Sequence, residues 1–227
     1  MKKTLITTVT HGDEQFSLPV VAKLSREFAN FEWRKNNPKA FKVGQRFYQK
    51  DLNRSGPGNS QSPIYEERLA YRLIKKYSQY PTVIDIHGST ADCGVFALLS
   101  EPSTQNIELA KKLDVTNVVL WPSLRPTDAP LTQFIPNSLE IECGPKDSPA
   151  TARKLERVLR AFLMGKKLAT PQKFYIVTGL LKGAVSKPMK DFTETTYKGR
   201  VFTPLLVDQY PGIKCYIMQK ISYTLAI

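Results

Sequence analysis

The stretch TLITTVTHGDEQF (4–16) decides how the chain begins to fold. Its β-branched run, TLITTVT (4–10), reads as a short buried strand and stops abruptly at His11-Gly12-Asp13-Glu14. The next stretch, SLPVVAKLSREFAN (17–30), has apolar residues at helical spacing, and its early proline is tolerated in a first turn. A strand therefore ends at a histidine, and a helix follows at once.

That rhythm continues downstream. FEWR (31–34) reads as a strand, and the residues from Asn36 to Pro63 as a loop rich in Gly, Pro, Asn and Ser. IYEERLAYRLIKKYSQY (64–80) predicts an amphipathic helix with Leu69, Leu73 and Ile74 on one face and Lys75 and Lys76 near its end. TVIDIHG (82–88), GVFALLS (94–100), NVVLW (117–121) and SLEIEC (138–143) read as strands, with a helix over roughly 103–113. In 148–165, Ser148 is a natural N-cap, Pro149 suits the first turn and Gly165 a stop. Strands alternating with helices imply an α/β fold, a mainly parallel mixed sheet flanked by helices. Beyond TPQK (170–173) the texture turns to short strands and turns. The expected division is an α/β domain over 1–167 and a small all-β C-terminal domain over 168–227.

Composition narrows the class. With 227 residues, 41% hydrophobic and 23% charged, the chain can bury a substantial core. MKKTLITTV resembles a signal peptide only superficially, because HGDE interrupts its apolar run, and no stretch approaches the ~18–20 apolar residues of a membrane span. The three cysteines, Cys93, Cys143 and Cys215, are odd in number and far apart, so no disulfide framework is expected and a cytoplasmic location fits. A net charge of +13 could attract nucleic acid, an anionic membrane or acidic small molecules. The lysines and arginines are scattered, however, which favours a basic solvated surface over a specific nucleic-acid or membrane partner.

Ligands in open α/β sheets gather beyond the carboxyl ends of the strands. His11 and His87, the only histidines in the sequence, both stand at such ends. Glu14 reaches the same point as His11 if the intervening turn is tight. Two imidazoles and a carboxylate leave one position open, the donor set of catalytic zinc in thermolysin and carboxypeptidase A. A hydrogen-bonded structural role for each histidine is the alternative, and H-x-x-E alone is weak. Asp85, on the same strand face as His87, is placed to accept from it. A zinc hydrolase also needs a base. Period-2 alternation points Glu140 and Glu142 to one face, and Glu142 lies nearer the carboxyl edge. Arg46 and Arg54, in GQRFYQKDLNR (44–54), offer fixed positive charge for an oxyanion or a substrate carboxylate, although two surface arginines is the simpler reading in isolation.

Taken in order, THGDE (10–14), RFYQKDLNR (46–54), DIHG (85–88) and EIECGP (140–145) resemble the succinylglutamate desuccinylase/aspartoacylase family, relatives of the zinc carboxypeptidases. The resemblance covers residues 4 to 165 and implies one Zn2+ per chain held by His11, Glu14 and His87. It further implies Glu142 as general base, Arg46 as the group steadying the carbonyl oxygen, and Asn53 and Arg54 as the grip on the substrate's α-carboxylate. A substrate-binding tyrosine from the β domain has only Tyr210 as a candidate. Eukaryotic aspartoacylases carry a further arginine ten residues before the base; here that position is Thr132, and Arg125 would need a different loop path to replace it. The chain is short for the family, which implies a reduced β domain. The expected activity is zinc-dependent cleavage of the amide bond of an N-acyl amino acid, by a protein that forms a homo-oligomer if it assembles at all. A metallocarboxypeptidase acting on short peptides, or a non-catalytic basic nucleic-acid-binding module, are the rival readings.

Overall fold

The computed structural model describes residues 3–122, 127–166 and 171–222. Its first part comprises β1 (Thr4–Thr8), α1 (Leu18–Glu27), β2 (Phe31–Lys35), α2 (Pro38–Val43), α3 (Tyr65–Tyr77) and β3 (Val83–Gly88). Then come β4 (Gly94–Leu99), α4 (Thr104–Ala110), β5 (Asn117–Leu120), β6 (Ser138–Gly144) and α5 (Pro149–Leu163). The C-terminal part is all strand: β7 (Lys173–Lys182), β8 (Thr195–Tyr197), β9 (Arg200–Leu205) and β10 (Ile213–Ile221).

One ten-stranded sheet runs in the order β2-β1-β3-β6-β4-β5-β7-β10-β9-β8. Strands β2, β1, β3 and β6 are mutually parallel, and β4 runs antiparallel to β6. β5 and β7 pair in parallel, whereas β10, β9 and β8 add antiparallel ribbons. The sheet is thus mainly parallel and mixed, flanked by helices, with a small all-β region at its C-terminal edge. That region extends the same sheet through the β5–β7 pairing, and the expected boundary at 167/168 lies outside the described residues.

Alternation along the strands explains the layers. Ile84 and Ile86 of β3 and Leu139, Ile141 and Cys143 of β6 belong to the core packed by α1, α4 and α5. The intervening residues, Asp85, His87, Glu140 and Glu142, face the opposite side, as a period of two requires. On that side α3 buries Leu69 and Ala70 against Leu5, Val83 and Leu131. Ser148 accepts from the Ala150 N–H as the cap of α5, matching the sequence reading.

The sequence shows less of the segment between β2 and α3. It contains the short helix α2, capped by the Asn37 side chain on the Ala40 N–H, and a 3-10 turn at Leu52–Arg54. The segment is anchored by buried Glu66, whose carboxylate accepts the N–H groups of Tyr48, Gln49 and Lys50 at 2.8 to 3.2 Å. A loop of this length keeps one shape because its backbone donors converge on a charge.

Leu139 is fully buried in the central strand β6. Leu139→Ala should lose about 2–5 kcal/mol of unfolding free energy in urea titration, whereas a loss below about 1 kcal/mol would contradict this packing.

Candidate active site

Strands β1, β3 and β6 are adjacent and parallel, so their carboxyl ends lie side by side. The chain leaves β1 through Val9, a β-branched residue in the left-handed region (φ 59°) and fully buried. That turn delivers Thr10 to Asp85 and His11 to the sheet edge. Gly12 allows it by its size: a Cβ there would stand 2.2 Å from the Ala40 carbonyl. Close approach to the 40–46 segment, rather than an unusual φ, is what this glycine provides.

His11, Glu14 and His87 converge, with donor atoms all within 4.8 Å of one another, and each is buried. Glu14 lies between the rings. Its Oε1 is 2.7 Å from His11 Nδ1, its Oε2 is 3.5 Å from His87 Nδ1, and Oε2 also accepts the Gly88 N–H at 2.9 Å. Each imidazole's other nitrogen meets a further carboxylate: His11 Nε2 is 2.9 Å from Asp51, and His87 Nε2 is 3.0 Å from Asp85. Asp85 in turn accepts from Thr7, Thr10 and Asn36. Both rings are therefore oriented alike, with Nε2 on an aspartate and Nδ1 turned to Glu14. No fourth protein donor joins this group among the described residues.

The electrostatics are tightly opposed. Burial works against a charged His11, but Glu14 and Asp51 outweigh it and raise its pKa above the ordinary value. For His87, Asp85 and then Glu14 overcome burial in the same sense. Burial alone would raise Glu14, yet the two histidines hold it well below the usual carboxylate range. Asp51 is likewise held low, against burial, by His11, Arg46 and Arg54. Glu142 differs: burial pushes it up to about 7, with Glu14 and Glu140 adding to the rise and His87 opposing.

His11, Glu14, His87 and Glu142 line a cavity of about 480 Å³ together with Arg46, Asn53, Arg54 and Tyr210. All eight site residues expected from sequence thus reach one cavity. Arg46 is fixed by Asp51 Oδ2 (3.0 Å) and lies 3.7 Å from Glu14 Oε1. Asn53 has a buried amide oxygen with no partner among the described residues. Burial pushes Tyr210 up to about 12, with Glu142 acting in the same direction. Its loop is tied to the turn after His87 by Gln209 Oε1, which accepts from the Ser89 hydroxyl and the Ala91 N–H, each at 2.9 Å.

Some functional residues escape sequence reading. Asp51 sits inside RFYQKDLNR but nothing in its spacing ties it to His11, forty positions away. Trp121 and Tyr216, in edge-to-face contact at 4.3 Å, form an aromatic wall. Thr132, at the position that corresponds to the further arginine of eukaryotic aspartoacylases, donates to Glu140 at 2.7 Å. Arg125, the alternative source of that charge, lies outside the described residues.

Known proteins resemble this chain in sequence and in fold. The profile of the succinylglutamate desuccinylase/aspartoacylase catalytic domain matches residues 1–167. A probable aspartoacylase of Prochlorococcus marinus subsp. pastoris is 31% identical over 105 residues, 41% of this chain and 36% of that protein. A probable aspartoacylase of Acaryochloris marina is 27% identical over 165 residues, 64% of this chain and 56% of that protein. The chain thus spans between about a third and somewhat over half of the length of these relatives. Among solved structures, murine aminoacylase 3 superposes with a TM-score of 0.75 at 15% identity, over 97% of this chain and 95% of that one. The succinylglutamate desuccinylase of Chromobacterium violaceum gives 0.70 at 14% identity, over 97% and 85%. Those two likenesses establish a shared fold. With the profile covering most of its length, the chain belongs to the succinylglutamate desuccinylase/aspartoacylase family.

Proposed function

We propose that the protein is a zinc-dependent hydrolase that cleaves the amide bond of an N-acyl amino acid, releasing a carboxylate and the free amino acid. The observation that carries this reading is the convergence of His11, Glu14 and His87 beside Glu142. The donor set fits a catalytic zinc ion: two neutral imidazoles and a carboxylate, each ring braced by an aspartate on its far nitrogen, with no fourth protein donor among the described residues. His11, Glu14 and His87 would hold the ion, which when bound supplies a Lewis acid that polarises a carbonyl and acidifies water.

The remaining chemistry belongs to the chain's own side chains. Glu142, with a pKa pushed up to about 7, takes a proton from the attacking water and returns it to the leaving nitrogen. A carboxylate of ordinary acidity would be a poorer acid for the second half of that exchange. Arg46, held by Asp51, faces the charge that develops on the carbonyl oxygen. Arg54 supplies a planar cation for the substrate's α-carboxylate, and the Asn53 side chain, whose Nδ2 is a donor, lines the cavity beside it. Tyr210 closes the cavity from the β region with a phenol that stays protonated. Support for a small acyl amino acid comes from the modest cavity and from family membership. Among the described residues no helix is long and apolar enough to cross a membrane.

Glu142→Gln should lower kcat by a factor of about 10³ or more while zinc stays bound at one equivalent, measured by kinetics and metal analysis. Turnover within tenfold of wild type would refute the assignment of Glu142. Asp51→Ala should weaken zinc binding about 10–100-fold in a chelator competition, because His11 loses the group that orients it. The same Glu142 variant makes an opposite prediction for stability of the metal-stripped protein. A carboxyl whose folded pKa is raised from 4.5 to about 7 favours the folded state below pH 4.5, and that advantage is lost as pH rises through 7. Glu142→Gln should therefore match wild type near pH 4.5 and exceed it by on the order of 3 kcal/mol near pH 8, read from denaturant unfolding.

A further inference from the structure

Four carboxyl groups line the cavity among the described residues: Glu14, Asp128, Glu140 and Glu142. Glu14 lies between the imidazoles, Glu142 is the proposed base, and Asp128 pairs with Lys50 at 2.6 Å. Glu140 has no such employment. It is 3% exposed, and its partners are two hydroxyls, Thr132 at 2.7 Å and Ser100 at 3.4 Å, both on Oε1. Among the described residues no lysine or arginine forms an ion pair with it. A buried carboxyl at a cavity wall whose hydrogen bonds come only from two hydroxyls, with His87 as its charged neighbour, is a place that a cationic ligand suits.

Its position says which part of a ligand it meets. Glu140 precedes Glu142 by two residues, about 7 Å down the same strand face. Thr132 lies on the segment that packs against the Asn53–Arg54 turn: the Gly56 N–H donates to the Ala129 carbonyl at 3.0 Å, and Leu52 and Leu131 share one apolar cluster. The Glu140 end of the cavity therefore adjoins the carboxylate grip, on the amino-acid half of a substrate. Leu98, Trp121, Pro130 and Tyr216 give that end apolar and aromatic walls. An alkyl chain tipped with a positive charge suits such walls and such a floor, with the rings adding cation–π attraction. A second carboxylate would meet like charge.

Resting on the deacylase reading, we infer that Glu140 selects substrates whose amino-acid side chain is cationic, such as N-acylated lysine, ornithine or arginine, over N-acylated aspartate or glutamate. The test compares kcat/KM of the zinc-loaded protein for Nα-acetyl-lysine, Nα-acetyl-norleucine and Nα-acetyl-glutamate. Lysine should exceed norleucine by about tenfold or more, with glutamate lowest. Glu140→Gln should bring the lysine-to-norleucine ratio within about threefold of unity, while Glu140→Asp keeps lysine ahead. A wild-type preference for glutamate or norleucine overturns the inference, as does an unchanged ratio in folded Glu140→Gln; should that variant fail to fold, the wild-type ranking decides. Calorimetric binding of free L-lysine, L-norleucine and L-glutamate to zinc-loaded wild type separates the two readings. Lysine-selective binding without hydrolysis of any acetyl amino acid would remove the deacylase reading and keep Glu140. Hydrolysis that favours glutamate would do the reverse, and binding that does not favour lysine would itself overturn the inference.

Discussion

The Glu14 carboxylate, set between two imidazoles that are each braced by another carboxylate, governs this end of the molecule. Such a cluster is costly to bury, and it persists only because every member has a partner. His11 meets Glu14 and Asp51, while His87 meets Asp85 and Glu14. The demand propagates outward. Asp85 needs Thr7, Thr10 and Asn36, and Asn36 accepts from the buried Tyr77 hydroxyl of α3 at 2.9 Å. Site and scaffold are thus one hydrogen-bonded unit, and the orientation of the rings is fixed before any ligand arrives.

Charge in the cavity is divided rather than averaged. Arg46 and Arg54 stand with Asp51 on the segment after α2, opposite the acidic face of β6. On the proposed reading, the cationic side takes a substrate's carboxylate and carbonyl, and the acidic face takes proton transfer and, at Glu140, side-chain choice. The scattered surface charge of +13 adds only a long-range field, screened beyond about 8–10 Å at ordinary salt.

The β region matters through one loop. Leu206 and Tyr210 reach the cavity, and Gln209 hooks that loop to the turn after His87. A C-terminal edge that merely extended the sheet would leave the cavity open. By way of β10 and its ring contact between Tyr216 and Trp121, it also supplies the aromatic wall. The shape of the cavity is therefore set jointly by the first and last parts of the chain.

Sequence alone determined the strand that leads to His11 and the strands that carry His87 and Glu142, because β-branched and alternating runs fix both the element and the face each side chain takes. IDIH and LEIE read directly as apolar residues to the helices and polar residues to the other side. It also determined that RFYQKDLNR would be irregular and polar. What it left open was decided by strand order: β1, β3 and β6 become neighbours only in the folded sheet, and that adjacency turns separate motifs into one cluster. Asp51 joins His11, and Thr132 meets Glu140, through loops whose paths depend on buried anchors such as Glu66 rather than on any local periodicity. Local pattern dictates which way a side chain points along its own element, whereas the partner it meets is set by packing between residues far apart in the chain.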